Sequence, residues 1–254
     1  MSPSVVRVPP QWLVLREPAD AAARSRELVE ELRRDTPGAG PLVIHDLGGG
    51  SGAMGRWLAP LLPQPQHWVI HDRDEELLAL AVADPPAGVT VEARRSDITR
   101  LAPEDLDGAS VVVASALLDM LTADELAGML AGCAGRLTLI AMTVTGDVTF
   151  APADPLDARL SAAFNDHQRR DGRLGPDAVA AVGGAVIVRP SPWRLDAAHA
   201  ELLTTWFGGW VDAACEQEPA LAAEGRPYRE RRLAQAAAGE LSVTVGHADL
   251  LVLP

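Results

Sequence analysis

Short apolar runs and amphipathic segments alternate through the first 150 residues. The apolar runs predict strands, at residues 42–47, 67–71, 89–93, 110–114 and 137–144. The amphipathic segments predict helices, at 19–35, 53–62, 75–83 and 122–133. Thr122 and Glu125 have the spacing of a capping box at the start of the last helix. Strand and helix in regular alternation predict a doubly wound parallel sheet.

The pattern becomes less regular after residue 150. It predicts helices at 157–170 and 199–216, a strand at 185–189, and a hairpin of strands 241–245 and 250–253 joined at 246–249. Trp206, Phe207 and Trp210 recur at helical spacing and are predicted to pack in the core. No repeat or low-complexity linker divides the chain, so a single domain over residues 1–254 is predicted.

Composition narrows the classes of function. The net charge of −13 disfavours a nucleic-acid partner, because an acidic surface repels phosphates. All 22 basic residues are arginines, so a Schiff-base lysine and a Walker lysine are both excluded. No apolar run is long enough to cross a bilayer and residues 1–10 lack a signal pattern, which predicts a cytoplasmic protein. Cys133 and Cys215 are predicted to be buried apolar residues, with a disulfide or a metal pair as the alternative.

Acidic residues follow three successive predicted strands. Asp46, Asp72 and Asp97 all come at or just after a strand, and glycines 48, 49, 50 and 52 follow the first. Because ligands bind at the carboxyl ends of the strands in such sheets, these residues predict a nucleoside site. Asp72 is placed to accept the ribose hydroxyls and Asp97 the adenine amine. The glycine turn opens a helix whose free N–H groups can hold an anion.

Asp46 distinguishes between two kinds of nucleotide cofactor. The glycines also fit the dinucleotide fingerprint, as Gly50-x-Gly52-x-x-Gly55. A carboxylate beside a pyrophosphate would repel it by about 1 kcal/mol or more, whereas it would attract an ammonium or a sulfonium. The sequence therefore favours a cofactor with a cationic centre.

Residues 42–144 resemble the class I S-adenosylmethionine-dependent methyltransferases. VIHDLGGGSG, HWVIHDRD, RRSDITRL and VVVASALLDML are similar to four successive motifs of that family. The resemblance implies a Rossmann-like seven-stranded, mostly parallel sheet with an antiparallel last strand and inserted helices. It implies S-adenosylmethionine as cofactor, S-adenosylhomocysteine as product, and cofactor contacts from Asp46, Gly48, Gly49, Gly50, Gly52, Asp72, Arg73, Asp97, Ile98 and Ser115.

The same resemblance divides the domain into three parts. Residues 1–38 form a capping helix region, 39–150 the cofactor-binding half, and 151–254 a substrate-side insert with the C-terminal strands. The acceptor is expected to be a small molecule methylated at O or N, and a homodimer is the candidate assembly. His167 is the candidate base, and its alternative is a solvated helix face. Further acceptor contacts are predicted for Asp119, Asn165, Gln168, Trp193 and Arg194.

The other polar residues are assigned structural or surface roles. His45 and His71 are predicted to be hydrogen-bonded within the strands, and His199 and His247 to lie at the surface or in turns. Arg24 and Arg26 either reach the cofactor carboxylate or lie on a solvated helix face, and the second is favoured. No spacing of Cys, His and Asp indicates a metal site.

Two further functions remain open from the sequence. A nicotinamide-dependent oxidoreductase would use the glycines and Asp72 but would leave Asp46 and Asp97 without a role. A non-catalytic domain that binds S-adenosylmethionine would keep every cofactor residue. Methylation of RNA is disfavoured by the net charge alone.

Overall fold

A computed structural model describes residues 8–36, 40–62 and 65–254. Its strands are β1 (Leu42–Leu47), β2 (Gln66–Asp72), β3 (Val89–Arg95), β4 (Val111–Ser115), β5 (Leu137–Ala151), β6 (Val186–Pro190), β7 (Trp193–Leu195) and β8 (Ser242–Val252). Its α-helices are α1 (Pro10–Ala23), α2 (Arg26–Asp35), α3 (Ala53–Leu58), α4 (Glu75–Ala83), α5 (Ala123–Gly132), α6 (Asp157–Gln168), α7 (Ala178–Ala181), α8 (Ala200–Gln217) and α9 (Ala222–Ala237). Residues 1–7, which belong to the segment predicted to lack a signal, and the predicted boundary between residues 38 and 39 lie outside the described residues.

The strands form one sheet, in the order β3-β2-β1-β4-β5-β8-β6. β1 to β5 pair in parallel, whereas β8 runs antiparallel to both β5 and β6. The predicted fold class is thus confirmed, and the short strand β7, paired with β8, adds an eighth strand to the seven that the resemblance implied. Helices cover both faces, so β1 and β4 are buried almost along their whole length.

Two predicted elements were wrong at the ends of the chain. The single helix predicted at 19–35 is two helices, because the backbone breaks at Arg24 and restarts at Ser25, whose hydroxyl caps α2 by accepting from the N–H of Leu28. The predicted hairpin is the continuous strand β8. The polar residues at 246–249 suggested a turn, but His247 and Asp249 are buried in the strand.

β5 extends well beyond the parallel part of the sheet. It pairs with β4 only as far as Ala141, then bulges and continues to Ala151 along β8. Helices α6, α8 and α9 pack around this extension, and α9 has no counterpart in the predicted elements. Phe207 and Trp210 are buried there and Trp206 is half-buried, so the predicted aromatic packing is confirmed.

Two buried histidines join the first three strands. Nδ1 of His45 lies 3.0 Å from Nε2 of His71, and Nδ1 of His71 lies 3.1 Å from Oγ of Ser96. Burial lowers the pKa of both histidines to about 4, so both rings are neutral at neutral pH. The structural role predicted for these residues is confirmed. Within the described residues, no helix is both long and apolar enough to cross a membrane.

Candidate functional site

The glycine turn after β1 brings the backbone very close to the side chain of Asp46. Gly48, Gly50 and Gly52 have φ angles of +64°, +54° and +83°, which favour glycine. Gly49 is constrained by space instead, since a Cβ there would lie 2.6 Å from Cγ of Asp46 and 2.8 Å from Ile70. The turn therefore wraps around the Asp46 carboxylate and leads directly into α3.

Asp46 is a fully buried carboxylate without a hydrogen-bond partner. Its exposure is 0%, and neither Oδ1 nor Oδ2 has a partner among the described residues. Burial raises its pKa to about 7; the charge of Asp72 acts in the same direction and that of Arg24 opposes it. Because buried carboxylates are normally paired, this arrangement indicates a position for a donor or a cation from outside the chain.

Arg24 brings a positive charge to the same place. It sits at the break between α1 and α2, is only 4% exposed, and donates to Oγ of Ser115 (3.0 Å) and to the carbonyl of Ala53 (3.4 Å). Its Nε has no acceptor among the described residues. The favoured expectation of a solvated Arg24 was therefore wrong, whereas Arg26 is exposed.

Asp249 of β8 fixes the backbone at Ser25, next to Arg24. Its Oδ2 accepts from the N–H of Ser25 (2.7 Å), and its Oδ1 accepts from the N–H of Met142 (2.8 Å) and from Oγ of Ser191 (2.6 Å). One carboxylate thus ties the start of α2 to the bulge in β5. Sequence reasoning missed this residue, because the contact joins positions 224 residues apart.

Asp72 and Asp97 lie at the ends of β2 and β3, as their spacing predicted. Asp72 accepts from the N–H groups of Gly50 and Asp74, both at 2.9 Å, and so locks the glycine turn to β2. Asp97 is exposed and accepts from the N–H and hydroxyl of Thr99, which lower its pKa. Arg73 is exposed beside Asp72, and Ile98 is half-buried beside Asp97.

Apolar side chains lie over the glycine turn. A Cβ on Gly48 would meet the methyl groups of Leu117 at 3.3 Å, and one on Gly50 would meet Cδ1 of Leu13 at 3.5 Å. Leu13 belongs to α1, which an ion pair between Glu17 and Arg56 (2.7 Å) fastens to α3. The first helix therefore forms a wall of the candidate site.

The predicted acceptor residues Asp119, Asn165 and Gln168 have different surroundings. Burial raises the pKa of Asp119, while the charges of Arg16 and Arg173 act in the opposite direction. Nδ2 of Asn165 donates to the carbonyl of Gly146 (3.1 Å) in the β5 extension. Oδ1 of Asn165 and Oε1 of Gln168 are buried with no partner among the described residues.

His167, Trp193 and Arg194 are not brought together. Nε2 of His167 lies 3.5 Å from Glu216, between α6 and α8. Trp193 is 3% exposed and donates from Nε1 to Oδ1 of Asp20 (2.9 Å) in α1. Arg194 is exposed, because neighbouring residues of a strand point to opposite faces.

No group of three or more His, Cys, Asp or Glu side chains within residues 8–36, 40–62 and 65–254 is arranged to hold a metal ion. Cys133 is buried and Cys215 half-buried, and neither is in a disulfide.

No family model and no curated protein matches the chain. Among solved structures, a protein from Anaeromyxobacter dehalogenans, whose assignment as a type II methyltransferase is provisional, gives a TM-score of 0.50 at 20% identity, covering 91% of this chain and 97% of that chain. The fold is that of the methyltransferases. A methyltransferase from Thiobacillus denitrificans bound to S-adenosylhomocysteine gives a TM-score of 0.48 at 14% identity, covering 98% of this chain and 100% of that chain. At such identities the likeness establishes the fold alone, and the activity has to be argued from the side chains of the site.

Proposed function

We propose that the protein is a methyltransferase that uses S-adenosylmethionine and acts at O or N of a small molecule. The observation that carries the proposal is the pair Asp46 and Arg24. Both are buried, each has polar atoms without a partner, and they act on each other electrostatically without forming an ion pair. An unpaired carboxylate next to a partly unpaired guanidinium complements a zwitterion, such as the amino acid end of S-adenosylmethionine.

The remaining residues suit the nucleoside end of the same cofactor. Each Asp72 oxygen accepts one backbone N–H, which leaves lone pairs for the two ribose hydroxyls. Oδ2 of Asp97 lies 3.7 Å from the Arg100 side chain at an exposed edge, where an adenine amine can reach it. A pyrophosphate would meet Asp46 instead of a cation, which disfavours a dinucleotide.

When bound, S-adenosylmethionine supplies a methyl group activated by a positively charged sulfur. The contribution of the chain is then to orient the cofactor through Asp46, Arg24 and Asp72 and to exclude water with Leu13 and Leu117. The acidic net charge of −13 favours a small-molecule acceptor over RNA.

Calorimetry tests the cofactor. We expect binding of S-adenosylhomocysteine and none of NADH; the reverse result would overturn the proposal. Arg24→Gln is expected to weaken S-adenosylhomocysteine by about 10- to 100-fold, because a hydrogen bond to a charged group contributes about 1.5–3 kcal/mol. Methylthioadenosine, which lacks the amino acid end, is the matched control and should bind both proteins equally well.

Methyl transfer is tested separately from binding. The protein is incubated with S-adenosylmethionine labelled in its methyl group and with fractionated metabolite extracts. A labelled small molecule supports the enzyme. Binding of S-adenosylhomocysteine without labelled product in any fraction would instead favour a non-catalytic cofactor-binding protein.

A further inference from the structure

His247 lies inside the molecule, contrary to the surface position expected from the sequence. It belongs to β8, pairs with Val144 of β5, and is only 5% exposed. Its Nδ1 lies 3.0 Å from the carbonyl oxygen of Val245. Since a carbonyl can only accept, Nδ1 carries the proton and Nε2 has a free lone pair.

Nε2 of His247 has no partner for that lone pair. No described residue forms a hydrogen bond with Nε2. The atom is also absent from the set of side-chain nitrogens and oxygens that are both fully buried and without a partner. Burial lowers the pKa of His247 to about 4, and the nearby Arg16 acts in the same direction. The imidazole is therefore neutral at neutral pH, so the lone pair of Nε2 is available as an acceptor, and the low pKa makes it a weaker base than a solvated histidine.

The histidine lies on the same face of the sheet as α1 and the backbone turn that carries Arg24. Successive residues of a strand alternate between faces, so His247 and Asp249 share a face of β8, and Asp249 binds the turn that carries Arg24. The His247 ring lies 5.0 Å from that of Trp193, and the Arg16 guanidinium lies 5.1 Å above Trp193. The charged groups that act on the His247 ring are Arg16 and Asp20, and both belong to α1.

We propose that Nε2 of His247 accepts the proton of a hydroxyl group on the acceptor molecule, so that methyl transfer goes to oxygen. The inference rests on the proposed methyltransferase activity and names its substrate class and its base. As the O–H proton moves to Nε2, the acceptor oxygen forms a bond to the methyl carbon, and the electron pair of the broken carbon–sulfur bond remains on sulfur. The imidazolium then releases its proton to solvent.

A hydroxyl fits this arrangement better than an amine does. A hydroxyl is a poor nucleophile until its proton is taken during the attack, so a positioned base accelerates the reaction by about 10²- to 10⁴-fold. An amine needs only to be deprotonated beforehand, in solution, and a neutral imidazole would contribute little to it.

The first test reads the histidine without any acceptor. Nitrogen-15 NMR of histidine-labelled protein should show one ring with a protonated Nδ1 and an unprotonated Nε2 that stays so between pH 5.5 and 8. His247→Asn assigns that signal by its disappearance. A neutral His247 ring that carries its proton on Nε2 instead of Nδ1 at pH 8 would overturn the inference.

The second test compares three variants in the labelled-methyl assay, with the acceptor fraction that the wild type uses. His247→Asn retains a donor for the Val245 carbonyl but lacks Nε2, and it should lose at least 100-fold in rate while binding S-adenosylhomocysteine within about 2-fold of wild type. His199→Asn, on an exposed turn, is the matched control and should keep the wild-type rate. His167→Asn tests the base predicted from the sequence.

The outcomes separate this inference from the proposed function. A His247→Asn variant as active as the wild type, a loss only in His167→Asn, or a product methylated at nitrogen would overturn the inference and leave the methyltransferase standing. No labelled product from the wild type would overturn both. A urea unfolding curve for each variant identifies any loss of rate caused by misfolding.

Discussion

Two carboxylates of this chain, the half-buried Asp157 and the fully buried Asp46, stand beside arginines and differ completely in their hydrogen bonding. Asp157, at the start of α6, accepts from Tyr228, from Arg232 and from the N–H of Asp154 at 2.6–2.8 Å. Asp46 accepts from no described residue, although Arg24 is near. The Asp157 carboxylate is satisfied within the fold, although Nε of Arg232 has no acceptor among the described residues, whereas neither oxygen of Asp46 has a donor among them. Proximity of opposite charges therefore does not by itself indicate a ligand site. A buried carboxylate with neither oxygen satisfied, as at Asp46, indicates one more strongly than the single orphaned Nε of Arg232 does.

The largest effect on stability is expected from Asp157→Asn. The substitution removes the charge that neutralises Arg232, which is 1% exposed, and breaking a buried pair costs about 3–5 kcal/mol. Urea unfolding should show this loss in the free energy of unfolding. A loss below about 1 kcal/mol would mean that the two carboxylates differ less than their contacts indicate.

Asp46→Asn should produce the opposite pattern, with weaker binding and no loss of stability. Binding of S-adenosylhomocysteine should fall by about 10- to 100-fold, because the ammonium loses a charged acceptor. With a pKa of about 7 when folded and about 4 when unfolded, Asp46 binds more protons in the native state between these values, so its contribution to stability falls as pH rises through this window.

The pH dependence of that variant separates Asp46 from the buried histidines. His45, His71 and His247 have lowered pKa values, so their contribution to stability rises with pH between about 4 and 6.5, opposite in sign to that of Asp46. Subtracting the free energy of unfolding of Asp46→Asn from that of the wild type at each pH leaves the pH-dependent contribution of Asp46 alone. A difference that is flat from pH 4 to 7 would show that Asp46 is ionised in the free protein.

Gly49→Ala is expected to lower the free energy of unfolding by about 1–3 kcal/mol, because the new methyl group would overlap the Asp46 carboxylate and Ile70. Gly55→Ala is the matched control. Gly55 lies within α3, and a Cβ there would be at an ordinary contact distance of 3.5 Å from Trp68. The free energy of unfolding should therefore be unchanged or slightly higher. Equal losses in the two variants would argue against a specific steric limit at the turn.

The smallest effect is expected from Glu224→Gln, which removes the exposed ion pair with Arg159 (2.9 Å). Both side chains are more than half exposed, so solvent screens the pair and the loss should stay below about 1 kcal/mol. This variant calibrates the Asp157 result, since both substitutions break a pair between α6 and α9. A loss as large as that of Asp157→Asn would contradict the distinction by burial.

The sequence predicted what depends on local pattern. Strand and helix periodicity gave the sheet, and the spacing of Asp46, Asp72 and Asp97 placed three acids at its carboxyl edge. Arg24, Asp249 and His247 escaped prediction because their surroundings are assembled from distant segments. Buried polar residues are uncommon, so Gly246 to Asp249 resembled a turn until their burial was known.

The Asp249 carboxylate has a consequence for synthesis of the protein on the ribosome. Ser25 emerges first and must wait for a partner made 224 residues later, so a nascent chain that already contains the glycine turn still lacks the anchor for Arg24. A polypeptide truncated before the final strand is therefore expected to keep much of its early secondary structure and yet hold no ligand. Ligand binding is expected only after β8 has been made, because β8 carries Asp249.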